Sequence, residues 1–245
     1  LKNLSLTFAG IILLCCGGWA PVFAYGDCLL YDWDTVTGGS QITPIIDLTG
    51  ECGYEIDIEN GPQPALLQTN ILQYFEDLET HEILFYFQGT LLDQFEAGDF
   101  RIMALIDSNV ADPIFAVDLS WERGLNRNKI LTLKSTLKSE LFHPSETRLP
   151  MPSQAAPIEL ADAFEGWIKV KVRFIQSSGP GINDGIIELL VEDILVDTWS
   201  GLYLDWPNAN TPTAVSYGVV DIFDSRTSGT LRIIPLNPSP DSIDF

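Results

Sequence analysis

Glu55, Asp57 and Glu59 stand at alternate positions in GYEIDIENG (residues 53–61), with Tyr54, Ile56 and Ile58 between them. Residues two apart on a β-strand point to one face, so the three carboxylates share one side of any strand built here. The Cα atoms of Glu55 and Glu59 then lie about 13 Å apart. Side chains leaning inward bring their carboxyls toward the roughly 5–5.5 Å of a retaining glycosidase pair. A strand with one wet face has the same pattern: Tyr54, Ile56 and Ile58 enter the core and the acids meet water. The chain holds 34 Asp and Glu in 245 residues, so such runs arise readily and the wet-face reading takes precedence. A cation site is the third alternative.

A second group lies in DTWSGLYLDWPN (197–208), where Trp199, Tyr203, Asp205, Trp206 and Asn208 set aromatic rings beside hydrogen-bonding side chains. Such a set can stack on and bond to a sugar; core packing of the tryptophans is the competing reading. Oxygen ligands recur at Asn183 and Asp184, at Asp107, Asn109 and Asp112, and at the two ends in Asp32, Asp34, Asp241 and Asp244. They suggest Ca²⁺, which takes 6–8 oxygens, as the one candidate cofactor. None completes a loop signature, and Asx turns account for each equally well. His81 and His143 are far apart in sequence and give no zinc-ligand spacing. There is no Gly-x-Ser-x-Gly elbow and no glycine-rich phosphate loop before a helix.

The elements that must position these groups read as strands. HEILFYFQGTLL (81–92), IFAVDLSWE (114–122), NKILTLKSTL (128–137), GIIELLVEDILVDTW (185–199) and TLRIIPL (230–236) are short apolar runs between turn-forming residues. DFRIMALIDS (99–108) alternates with Phe100, Ile102, Ala104 and Ile106 on one side. GWIKVKVRFIQ (166–176) sets Ile168, Val170, Val172 and Phe174 against Lys169, Lys171 and Arg173. This period of two predicts an all-β, two-sheet antiparallel sandwich with at most one or two short helices. Residues 65–82 and 158–166 are where a turn or two of helix is expected. The Pro- and Ser-rich stretch 143–157 predicts a surface excursion.

The N-terminus reads as export machinery. Lys2, an apolar run from Leu4 to Cys16, and small residues up to Ala24 have the layout of a signal peptide over residues 1–24. The run is shorter than the ~20 residues of a spanning helix, so no transmembrane segment is expected after cleavage. A single domain over 25–245, secreted or periplasmic, is the resulting expectation. Without Lys2 the chain keeps 12 basic against 34 acidic residues, a net charge of −22. Such a surface excludes nucleic acid and anionic membranes as partners. Cys28 and Cys52 are the cysteines left after residue 24, and an oxidising compartment predicts that they pair.

EGWIKVKVRFIQSSGPGINDGIIELLVEDILVDTW resembles the laminin-G-like and concanavalin A-like jelly-roll superfamily, in which a strand opening on Trp meets a polar turn and a second strand. The turn often written Asp-Gly in that superfamily is Glu192-Asp193 here. SYGVVDIFDSRTSGTLRI and DSIDF resemble its later hairpin and closing strand. THEILFYFQG and GDFRIMALIDS fit the earlier pair. The resemblance implies a jelly-roll sandwich. Its function classes run from lectins and adhesive modules to hydrolases and lyases. EIDIE is locally similar to the catalytic signature of glycoside hydrolase family 16, which would make Glu55 the nucleophile, Glu59 the acid/base and Asp57 the group tuning both. That motif stands early in this chain and lacks the aromatic-rich approach of the family. The Arg, Gln, His and Tyr motifs of alginate-type lyases are not apparent. The leading expectation is a non-catalytic, lectin-like module for a polysaccharide or cell-surface component. A glycoside hydrolase and a structural or adhesive surface protein stand as alternatives.

Overall fold

A computed structural model describes residues 33–46, 50–58, 64–71, 80–89, 97–106, 113–123, 129–137, 141, 151–152, 158–160, 166–204, 212–224 and 229–237. The strands are β1 (Thr35–Thr37), β2 (Ile42–Ile46), β3 (Cys52–Ile58), β4 (Ala65–Asn70), β5 (Thr80–Gln88), β6 (Ala97–Ile106), β7 (Phe115–Arg123) and β8 (Lys129–Leu137). They continue as β9 (Met151–Pro152), β10 (Ile158–Leu160), β11 (Ile168–Ile175), β12 (Gly185–Val191), β13 (Ile194–Leu202), β14 (Ala214–Ile222) and β15 (Gly229–Asn237). One sheet runs β1-β4-β14-β6-β7-β8-β10 with β9 beside β8; the other runs β13-β12-β11-β5-β15-β3-β2. Every pairing is antiparallel. The expected two-sheet jelly-roll sandwich is the fold, and Gly39–Gln41 is a 3-10 turn.

The two sheets bury their facing sides. Ile168, Val170, Val172 and Phe174 of β11 all enter the core, as the alternation predicts. Phe115 of the larger sheet meets Phe174 of the smaller edge to face, with centroids 5.9 Å apart at 90°. Tyr217 likewise meets Phe85 at 5.7 Å. Each such pair adds about 0.5–1.5 kcal/mol beyond the area it buries. Trp33 packs on both Tyr54 and Tyr217, and its Nε1 donates to the Tyr54 hydroxyl at 2.8 Å.

Local expectations are corrected where the residues are described; 72–79 and 161–165, the rest of the two stretches where a turn or two of helix is expected, lie outside the described residues. Residues 65–70 form β4 rather than helix, because Ala65, Leu67 and Thr69 alternate into the interior while β14 and β1 satisfy the backbone on both sides. Ile158–Leu160 is strand β10, paired with β8. β6 does not keep one phase: Phe100 and Ile102 face the core, but so do Met103 and Leu105, while Ala104 does not. A register shift between Arg101 and Met103 against β7 is the cause. One extra residue in a strand reverses the side of all that follow.

The turn between β12 and β13 follows from its two residues. Glu192 and Asp193 sit at φ 50° and 62°, the paired positive φ of a two-residue hairpin that favours Asp-Gly. Two non-glycine residues hold it because Lys169 anchors both. The Lys169 N–H donates to Glu192 Oε1 at 2.6 Å, and its ammonium lies 2.8 Å from Asp193 Oδ2. Residues 1–24, Cys28, most of the 143–157 stretch and the DSIDF terminus lie outside the described residues.

Candidate functional site

The outer faces of the two sheets differ in how their polar groups are used. On the smaller sheet they are spent on one another. Glu55 of β3 stands directly opposite Arg232 of β15, whose Nη2 lies 2.7 Å from Glu55 Oε2. Asp57 stands opposite Thr230 and accepts from its hydroxyl at 3.2 Å. Tyr54, Ile56 and Ile58 are buried. Glu59 lies outside the described residues. β11 repeats the arrangement: Arg173 has Glu82 on one side at 3.0 Å and Glu188 on the other at 3.1 Å. These bonds raise the Arg173 guanidinium above its ordinary pKa, chiefly through Glu82. Asp193 likewise raises Lys169 and is itself lowered by it. Exposed pairs of this kind contribute little to stability, because water competes for both partners. They leave the face with few uncommitted donors.

The aromatic set in 197–208 divides. Trp199 is 6% exposed and belongs to the core. Its Nε1 donates to the Ser135 hydroxyl at 3.0 Å, and that hydroxyl donates to Asp197 Oδ2 at 2.6 Å. Trp199 therefore ties β13 to β8 across the sandwich and offers no ring to a ligand. Tyr203 is half-buried, its N–H bonded to the Leu141 carbonyl at 2.8 Å. Asp205, Trp206 and Asn208 lie outside the described residues.

The oxygen clusters are engaged by hydrogen bonds within the fold where they are described, in a local turn at Asp184 and across to the end of β4 at Asp34. Asp184 accepts the Ser178 N–H at 2.8 Å, and the bonds from Ser178 hold its carboxyl below the usual range. Asp34 accepts the Asn70 N–H at 2.5 Å. No group of three or more His, Cys, Asp or Glu able to hold a metal forms among the described residues. Asp32, Asp107, Asn109, Asp112, Asp241 and Asp244 fall outside them.

The outer face of the larger sheet is built differently. The register lines up Gln68, Ser216, Ala104, Ala116 and Thr136 across β4, β14, β6, β7 and β8. Ala104, Ala116 and Ser216 are no more than 1% exposed although they are not part of the core cluster. They form a floor of small side chains. Ser216 donates to Gln68 Oε1 at 3.2 Å, which leaves the Gln68 amide nitrogen as a donor. Beside this floor lies a buried ion pair, with Arg101 Nε donating to Asp118 Oδ1 at 2.9 Å. Thr136 donates to Asp118 Oδ2 at 2.6 Å, so both carboxylate oxygens are engaged. Lys134 Nζ lies 3.5 Å from Asp99 Oδ2. Burial pushes the Asp99 carboxyl above its usual range; Lys134 opposes this, while Asp118 and Asp224 add to it.

None of these residues is in the sequence-derived site lists. Two signals could have found them: Arg101 interrupts the apolar run DFRIMALI, and Asp118 interrupts IFAVDLSW. Both are charges in strand interiors, where alternation places them on a face that water does not reach freely.

No family model matches the chain, and no curated protein does. Solved structures do. The endo-β-1,4-glucuronan lyase of the fungus Trichoderma reesei aligns over 83% of this chain and 89% of that chain, with 11% identity and a TM-score of 0.53. Alginate lyase Aly36B aligns over 82% and 83%, at 10% identity and a TM-score of 0.46. The binding domain of botulinum neurotoxin serotype C1 aligns over 79% of this chain and 41% of that one, at 12% identity and a TM-score of 0.48. At these identities the likeness is one of fold.

Proposed function

We propose that the chain is a carbohydrate-binding module that takes a polysaccharide across the outer face of the larger sheet and breaks no bond in it. The observation that carries this reading is the set of fixed polar groups on that face, the Gln68 amide and the Arg101–Asp118 pair, beside the row of Ser216, Ala104 and Ala116. These small side chains are themselves covered, at 0–1% exposure, so the fixed polar groups beside them are what would meet and orient a sugar. The fold neighbour at TM-score 0.53 is named for a polysaccharide, glucuronan, which supports the ligand class. Elimination chemistry would need a base beside the bound sugar. Among the described residues this face offers neither His nor Tyr, since His81 is 1% exposed and Tyr217 packs in the core, and its Lys134 and Asp99 are paired with each other. Export with loss of residues 1–24, and one domain over 25–245, belong to the same proposal.

The test is calorimetry and affinity electrophoresis against plant, algal and bacterial envelope polysaccharides. Saturable binding without release of reducing ends or unsaturated products is expected. Blank titrations at millimolar ligand would overturn the reading. So would reducing-sugar release from a β-glucan or galactan that disappears in Glu55→Gln, since that outcome belongs to a hydrolase.

A further inference from the structure

We propose that Arg101 anchors a subsite for an uncharged sugar, its two η-nitrogens donating to hydroxyls of a pyranose laid on the outer face of the larger sheet. This rests on the carbohydrate reading above and specifies where and what kind of sugar. The Arg101 side chain is 10% exposed, and its Nε is bonded to Asp118. Among the described residues nothing accepts from either Nη. Arginine carries four of its five N–H donors on those two atoms, so directed donors remain for an acceptor that reaches this face. The guanidinium is also fixed in place. Asp118 holds one edge and is itself held by Thr136. The Phe223 ring lies 5.1 Å beneath the Cζ.

The backbone around Arg101 is shaped on both sides. β6 slips register against β7 between Arg101 and Met103, and β14 slips against β6 between Tyr217 and Asp221, the residue opposite Arg101. Bulges re-aim a side chain and gather beside functional sites. Here two of them meet at one arginine. Phe223, next to Asp221 and Ile222, is 48% exposed and offers apolar surface beside the guanidinium for the C–H face of a sugar.

Charge selects the class of sugar. Arg101 is already neutralised by Asp118, and Lys134 by Asp99. Asp221 and Asp224 add negative charge nearby, in a chain of net charge −21. A uronate carboxylate arriving here meets this field uncompensated. Hydroxyl oxygens accept the same N–H donors without that repulsion. The upward displacement of the Asp99 carboxyl by burial and by Asp118 and Asp224 has the same sense: the region disfavours a further anion.

The experiment is calorimetry of the full chain, its Arg101→Lys and Phe223→Ala variants, with gluco-, xylo-, manno- and galacto-oligosaccharides and with oligoglucuronate. The wild type should bind a neutral oligosaccharide with an affinity that salt does not change. Arg101→Lys keeps the charge and loses the fork, so binding should weaken about tenfold or more, with Phe223→Ala weakening it severalfold. Folded variants that both bind like the wild type overturn the subsite. If Arg101→Lys does not fold, Phe223→Ala decides together with hydrogen exchange. Saturating ligand should protect amides of β6 and β7, and protection confined elsewhere overturns the proposal. Binding of oligoglucuronate alone, weakened by salt, overturns the neutral class and leaves the carbohydrate reading standing. Binding of no saccharide sinks both.

Discussion

At the scale of single residues, the decisive contrast is between two ion pairs. Glu55–Arg232 is partly exposed, at 29% and 38% of the side chains, and water competes for both partners. Glu55→Gln should therefore cost at most about 1 kcal/mol in denaturant unfolding. Asp118–Arg101 is buried, at 4% and 10%. Asp118→Ala leaves the guanidinium without its anion and should cost about 3–5 kcal/mol; a loss as small as that of Glu55→Gln would show that water reaches the pair. Asp99 gives a pH signature. Its folded pKa is raised, so the folded state binds the proton more tightly than the unfolded chain. Stability from this group is full below the ordinary value of 3.8 and is lost as pH rises through the folded value. Asp99→Asn, which mimics the protonated acid, should raise the melting temperature at pH 7 and lose that advantage near pH 3. A constant difference across the range would contradict the assignment.

At the scale of elements, β6 and β14 carry the information that the other strands lack. Gly218 sits in β14 beside its register slip, at φ 109°. A Cβ there would lie 2.7 Å from the Ala65 carbonyl oxygen and 2.7 Å from Ile56 Cδ1. Gly218→Ala therefore combines a strained backbone with overpacking and should cost at least about 2 kcal/mol, measured by thermal or urea unfolding. By contrast, β11 could be read directly from sequence because it sits between two strands, with one face in the core and the other wet, so its period of two is unbroken. β4 misled because its spacing of apolar residues also fits a helical turn. Its pairing with β14, almost 150 residues away, decides the matter, and no local window contains that partner.

At the scale of the whole molecule, the charge of −21 opposes compaction through self-repulsion. Raising salt from about 10 mM to about 150 mM should raise the melting temperature; a fall would mean that attractive pairs dominate the field. The N-terminal half is expected to be stapled to β3. Cys52 opens that strand and is disulfide-bonded, and we propose Cys28 as its partner. Non-reducing peptide mapping should recover the 28–52 linkage. Reduction should destabilise the fold by about 3 kcal/mol in the chain-entropy model. Linkage of Cys52 to Cys15 or Cys16 would overturn both this pairing and the removal of residues 1–24.

The sequence by itself determined the class of fold, because a strand with one buried and one wet face writes its geometry as alternation, and most of these strands have that form. It also determined that Tyr54, Ile56 and Ile58 face inward, for the same reason. It raised two candidate sites from residue type and spacing alone. Only the tertiary structure decided that β15 answers the acids of β3 with Arg232 and Thr230, and that Trp199 is a bolt between sheets. Only it brought Arg101, Asp118, Thr136 and Phe223 together. Three of them come from β6, β7 and β8 and Phe223 follows the end of β14, and two bulges set the phase that turns them to one face. A bulge is a property of paired strands, so no single strand's sequence contains it.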